Sequence, residues 1–298
     1  MADQAEKLRQ VALRNKVDER DTGRLEGKFP RVIAVTSGKG GVGKTNLVVN
    51  LGVTLTRWNY RVIILDADLG MANVDVMTNA FPRYSLEDVI NGHKDIREVM
   101  VEPLNSLKII PGGSGMFNLA NLDRQRQDRL IERLGVLDRE ADILLIDTGA
   151  GISQHVINFL ASAGEILLVT TPEPTALTDV YGLIKVLHEK KTHRKVHTVV
   201  NMVKNVAEGE EVFQRLNKVV NKFLGSPEIG YLGAVNMDPQ VTRSISDCYP
   251  LVLNRPRSPA AISIQKISRR LLFDEDMSRA EVNLKGMQGF IERLKKSF

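Results

Sequence analysis

The chain has 298 residues, 26% of them charged, with a formal net charge of +5 and a single cysteine, Cys248. One cysteine excludes an internal disulfide and a cysteine-rich metal centre, while the mild basic excess permits contact with nucleic acid or anionic lipid without requiring either. The polar start carries no apolar run of a secretory signal, and no stretch approaches the roughly 20 apolar residues of a membrane-spanning helix, so a cytoplasmic location is expected.

Residues 1–30 mix charges of both signs with few large apolar groups. Ala5, Leu8, Val11 and Ala12 can share one face of a short helix, and 18–28 reads as a solvated linker. The core begins at Arg31 with the apolar run Val32-Ile33-Ala34-Val35. Similar runs recur at 62–65, 107–110, 143–146, 166–169 and 197–200. Most lack the apolar/polar alternation of a half-exposed strand, so they read as strands buried on both faces of a parallel sheet. Helix-length stretches lie between them at 45–58, 123–137, 153–163, 175–190 and 209–224, and 260–273 reads as a last core helix. This alternation predicts an α/β fold over 31–273, with a doubly wound, mainly parallel sheet flanked by helices on both faces. Residues 274–298 read as a linker, opened by Asp274-Glu275-Asp276, and a separate helix over 284–298.

Between the first apolar run and the first helix stands Gly38-Lys39-Gly40-Gly41-Val42-Gly43-Lys44-Thr45. Glycines let backbone N–H groups approach phosphate oxygens, the final lysine neutralises β/γ-phosphate charge, and the following hydroxyl ligates Mg²⁺. The strand before and the helix after are the context this motif requires. ATP and Mg²⁺ are therefore the expected cofactors, with Asn46 counted in the nucleotide site. Asp66 and Asp68 follow the second run and Asp147 the fourth, placing carboxylates at strand ends where ligands of a parallel sheet bind. Hydrolysis needs one carboxylate to orient water and another to organise the metal. Asn201 ends a further strand with an amide able to donate to and accept from a base. Met237-Asp238-Pro239 is either a base-side loop or turn chemistry, and Asp238 is counted with the nucleotide site.

A lysine at the second loop position, Lys39, has no role in an ordinary phosphate loop. The pattern Lys-Gly-Gly-Val-Gly-Lys-Thr resembles the deviant Walker A motif of the MinD/ParA family of ATPases. That resemblance implies an ATP-bound homodimer in which Lys39 crosses to the facing subunit's nucleotide. It also implies that Asp68 positions the attacking water, that Asp147, with Thr45 and Asp66, lies near the metal, and that Asn201 contacts adenine. Lys39, Lys44 and Asp68 are accordingly the expected catalytic set.

The tail repeats apolar residues at Leu284, Met287, Ile291, Leu294 and Phe298, one helical face that Phe290 broadens, with Lys285, Arg293, Lys295 and Lys296 largely off it. Such a helix either lies on anionic lipid or packs on the core or a partner. MinD-like proteins carry a membrane-targeting tail in this place, so peripheral attachment at the inner face of the cell membrane is expected. At the other end, Asp3, Gln4, Ala5, Leu8 and Arg9 form a segment similar to the Asp-Gln-Ala-x-x-Leu-Arg motif of the flagellar FlhG group within that family. The likeness implies control of flagellar number and placement, stimulation of an FlhF-type GTPase, and contact with flagellar C-ring components or a transcription regulator. A ParA-like DNA-partitioning ATPase and a septum-positioning MinD-type ATPase are the alternatives. Direct DNA binding is not expected, because DNA binding does not call for an amphipathic terminal helix.

Overall fold

The computed structural model describes residues 29–68, 73–104, 106–112, 124–190, 192, 195–225, 229–273 and 286–297. In chain order the elements are β1 (Arg31–Ser37), α1 (Lys44–Thr56), β2 (Val62–Ala67), α2 (Asn73–Thr78), α3 (Leu86–Ile90), α4 (Ile96–Val99), β3 (Val101–Leu104) and β4 (Leu107–Pro111). There follow α5 (Arg124–Gly135), α6 (Leu137–Glu140), β5 (Ile143–Ala150), α7 (Gln154–Ser162), β6 (Glu165–Thr170), α8 (Pro174–Glu189) and β7 (Lys195–Val203). The last are α9 (Val206–Leu224), β8 (Ile229–Asn236), α10 (Pro239–Ser246), α11 (Leu251–Asn254), α12 (Pro259–Phe273) and α13 (Gly286–Ser297).

Eight strands form one sheet in the order β3-β4-β2-β5-β1-β6-β7-β8, parallel except for the β3–β4 pair. The apolar runs are buried on both faces, as a sandwiched parallel sheet requires. In β1, Val32 and Ala34 join one core while Ile33 and Val35 join the other. Leu144/Ile146 and Ile143/Leu145 of β5 divide the same way. Helices α3, α5, α7, α8 and α13 cover the first face, and α1, α11 and α12 the second. All six apolar runs are strands. The two further strands, β3 and β8, carry a proline in Val-Glu-Pro-Leu and two glycines in Ile-Gly-Tyr-Leu-Gly-Ala-Val-Asn, residues that weaken a strand signal.

Of the two fates open to the tail, this structure has the packed one. In helix α13, Met287, Phe290, Ile291 and Leu294 are all buried in the first core. Phe290 lies 6.0 Å from Phe159 between ring centroids. Asp138 caps the helix, accepting from the backbone N–H of Met287 at 2.6 Å and of Gln288 at 3.3 Å. Arg293 donates to the Ser162 carbonyl, Asn158 donates to that of Ser297, and Lys295 pairs with Asp128. The helix packs across α5 and α7, so its buried residues share the first core with those of 31–273. Leu284, Phe298 and the segment Asp3, Gln4, Ala5, Leu8 and Arg9 lie outside the described residues. No helix among the described residues is long and apolar enough to cross a membrane.

Candidate functional site

The phosphate loop joins the carboxyl end of β1 to α1. Gly43 holds the N-cap of α1 at φ +83° with no side-chain cap, and Gly41 is also left-handed at φ +80°. A bare helix start with its N–H groups uncapped is a ready anion site. The positive φ favours glycine here, and a Cβ would lie 2.4 Å from Nδ2 of Asn201 and displace that amide. Asn201 Nδ2 donates to the Val42 carbonyl at 2.7 Å and so braces the loop, while its Oδ1 accepts from the N–H of the next residue, Met202, at 2.9 Å. Each end of the amide keeps hydrogen-bonding capacity beyond these contacts.

Asp238 is buried, and its two oxygens accept from the N–H of Gln240 at 2.9 Å and of Ala260 at 3.1 Å, capping α10 and α12 together. Each oxygen thus satisfies one helix start.

Lys44 and the strand-end carboxylates do converge. Lys44 Nζ lies 2.6 Å from Oδ1 of Asp147 and 3.8 Å from Oδ2 of Asp68. Burial pushes the Asp147 carboxyl up from its ordinary value, and Lys44 and the Thr45 hydroxyl oppose the shift. Burial, and then the charge of Asp147, push Asp66 up to about 7. Asp66 accepts the Asp68 N–H at 3.1 Å, so it also shapes the turn that carries Asp68. Oδ2 of Asp66 and Oδ2 of Asp147 are both buried without a protein partner. Two orphaned carboxylate oxygens beside the Thr45 hydroxyl make a hard-oxygen donor set that fits Mg²⁺ and its waters. When bound, the ion would neutralise phosphate charge there.

The Asp66 shift has a measurable sign. The unfolded carboxyl ionises in the ordinary range and the folded one near 7, so between these values the folded state holds more protons. Stability contributed by protonated Asp66 is therefore present at low pH and lost as pH rises. The nucleotide-free protein should lose thermal stability between roughly pH 5 and roughly pH 7.5, and an Asp66→Asn variant should lose less. Parallel curves would contradict a buried, neutral Asp66.

Lys39 sits on the open side of the loop. Its ammonium pairs with Glu173 of the same chain and lies 3.2 Å from the Thr175 hydroxyl. Glu173 and Thr175 were not legible as its partners, although Pro174 marks the start of α8 that presents them. Around this edge Ile152, Met202, Val206 and Met237 are exposed.

A family model described as an AAA domain matches residues 30–201, more than half of the chain. The antiactivator FleN of Pseudomonas aeruginosa is 36% identical over 265 residues, covering 89% of this chain and 93% of FleN. The flagellum site-determining protein YlxH of Helicobacter pylori is 33% identical, covering 89% of this chain and 90% of its own. The solved cell division ATPase MinD of Pyrococcus furiosus superposes with a TM-score of 0.65 at 26% identity, covering 81% of this chain and 98% of MinD.

The chain belongs to the MinD/ParA family of P-loop ATPases. It is an ATP hydrolase. Among the described residues no cluster of three or more His, Cys, Asp or Glu side chains is arranged to hold a metal ion. A cation here would share its coordination with Thr45 and with phosphate oxygens of a bound nucleotide.

Proposed function

We propose that this MinD/ParA ATPase is an ATP-driven dimeric switch that regulates flagellar number and placement. The observation that carries the dimer is Lys39, held at the exposed rim of the phosphate loop by Glu173 and Thr175. A lysine there is spare for the nucleotide of its own subunit, whose phosphate charge Lys44 meets from within. Turned outward, it completes the site of a second copy across the apolar rim of Ile152, Met202, Val206 and Met237. Asp68 then orients the attacking water, and hydrolysis separates the subunits. An Asp68→Ala variant should bind ATP and accumulate as a dimer, with turnover reduced on the order of 100-fold or more. A variant that stays monomeric with ATP by light scattering would sink this reading.

The flagellar role is supported by the names of FleN, an antiactivator, and YlxH, a flagellum site-determining protein. The segment at Asp3–Arg9 would engage an FlhF-type GTPase, and C-ring components or a transcription regulator would receive the output. Membrane attachment has to be reconciled with a docked tail. Burying Met287, Phe290, Ile291 and Leu294 contributes at most roughly 6–12 kcal/mol, and a shallow lipid interface returns only part of that. Undocking must therefore be driven by the ATP-bound dimer, whose two tails then bind with raised effective concentration. In the Asp68→Ala background, ATP should bring the protein down with anionic liposomes and ADP should leave it in the supernatant. Equal sedimentation with both nucleotides would separate lipid binding from the switch.

A further inference from the structure

Away from the phosphate loop, α10, α11 and the start of α12 border a shallow, solvent-open concavity of about 590 Å³. Arg243, Arg255 and Arg257 line it, with Gln240 and Asn254 between them. Arg31, Arg61 and Arg97 each hold an ion pair with a carboxylate, whereas among the described residues none of these three does. The one acid in the lining, Asp238, already has both oxygens on the backbone N–H groups of Gln240 and Ala260. Asp238 and Ser258, which accepts from Ala261 at 3.3 Å, also satisfy the start of α12, so the helix ends are not what would attract a ligand. What remains is three guanidinium groups around a single carboxylate that the backbone already holds, with Arg255 also donating to the Asn254 carbonyl at 3.0 Å and to its Oδ1 at 2.5 Å. Oε1 of Gln240 and Oγ of Ser244, on the same helix, are buried without partners; Ser244 itself is 3% exposed.

We infer that this cavity is a second ligand site, for a small organic phosphate of mononucleotide size. Guanidinium forks match phosphate oxygens in a bidentate geometry that ammonium groups cannot. An orphaned amide oxygen alongside suits a donor on the rest of the molecule, such as a sugar hydroxyl or an exocyclic amine. The volume lies within the range of small-molecule pockets. The occupant would sit behind the loop that follows β8, which is tied to β7 by the Met237 N–H donating to the Val203 carbonyl at 2.7 Å. Asp238 belongs to both the cavity and that loop, so an occupied cavity bears directly on the strand ends beside the phosphate loop.

The test uses the full chain saturated with Mg-ADP, which blocks the phosphate loop, and inorganic pyrophosphate as the probe in calorimetric titration. Pyrophosphate should bind once per chain. The triple variant Arg243→Gln, Arg255→Gln, Arg257→Gln should lose at least 10-fold in that affinity while keeping its melting temperature and its affinity for Mg-ADP. A charge-matched variant on the opposite face, Lys185→Gln, Lys218→Gln, Lys222→Gln, should bind as the parent does. No saturable binding overturns the site, as does equal loss in both triple variants, which would mean general charge attraction. Loss of Mg-ADP affinity together with pyrophosphate overturns it differently, by making the cavity the base end of the known ATP site. Retention of a 20-base-pair DNA duplex with no binding of pyrophosphate also overturns it, in favour of a polyanion surface.

Discussion

Replacing Lys44 by Met should abolish tight nucleotide binding and, separately, destabilise the empty protein. The first effect comes from the phosphates: a lost charge-assisted hydrogen bond costs about 1.5–3 kcal/mol, or roughly 10- to 150-fold in affinity. The second comes from Asp147, whose side chain is 1% exposed and has the Lys44 ammonium at 2.6 Å. Removing one partner of a buried pair typically costs about 3–5 kcal/mol, because the other charge stays desolvated. Asp147 can escape by taking up a proton, so the variant's deficit should grow as pH rises. The double variant Lys44→Met, Asp147→Asn should recover stability in urea unfolding and still fail to bind nucleotide. If the single variant unfolds at the parent's midpoint, the lysine serves the ligand alone.

The second large effect is expected at the tail. Phe290 is fully buried against Phe159, and Phe→Ala in a core costs about 3–5 kcal/mol. For a domain of this size that is a fall of roughly 6–20 °C in melting temperature. A helix merely resting on the surface would change stability by about 0.5 kcal/mol or less on the same substitution. Calorimetry of Phe290→Ala without nucleotide distinguishes the two, and a shift under about 2 °C would mean the tail is not core.

The central strands and the phosphate loop were legible because both depend on local chemistry. Val32–Val35 or Ile143–Ile146 can be buried only between two helical layers, and the loop's glycines leave backbone amides bare wherever they occur. The tail was half legible. Its spacing fixed which residues share a face, but not what that face meets, since Leu130, Leu134 and Phe159, part of the core it enters, come from far away in the chain. The protein contacts of Asn201 and Asp238 were not legible for a related reason. An amide or carboxylate at a strand end suits a base, a backbone carbonyl or a helix start equally well. In the fold, the Asn201 amide reaches the Val42 carbonyl and Asp238 meets two helix starts, contacts set by residues distant in the chain. Strands β3 and β8 were lost to proline and glycine, whose burial is set by neighbours and not by their own propensity.

The meeting of Pro30 with α13 has a geometric consequence. A Cβ on Gly286 would lie 2.8 Å from Cδ of Pro30 and 2.3 Å from Oδ1 of Asp138, so the described chain enters and its last helix begins at one corner. That corner is at the start of β1, and the phosphate loop is at the other end of the same strand. Seven residues of strand span about 23 Å. The start of the described chain and the start of α13 are thus held a full strand length from the phosphate loop.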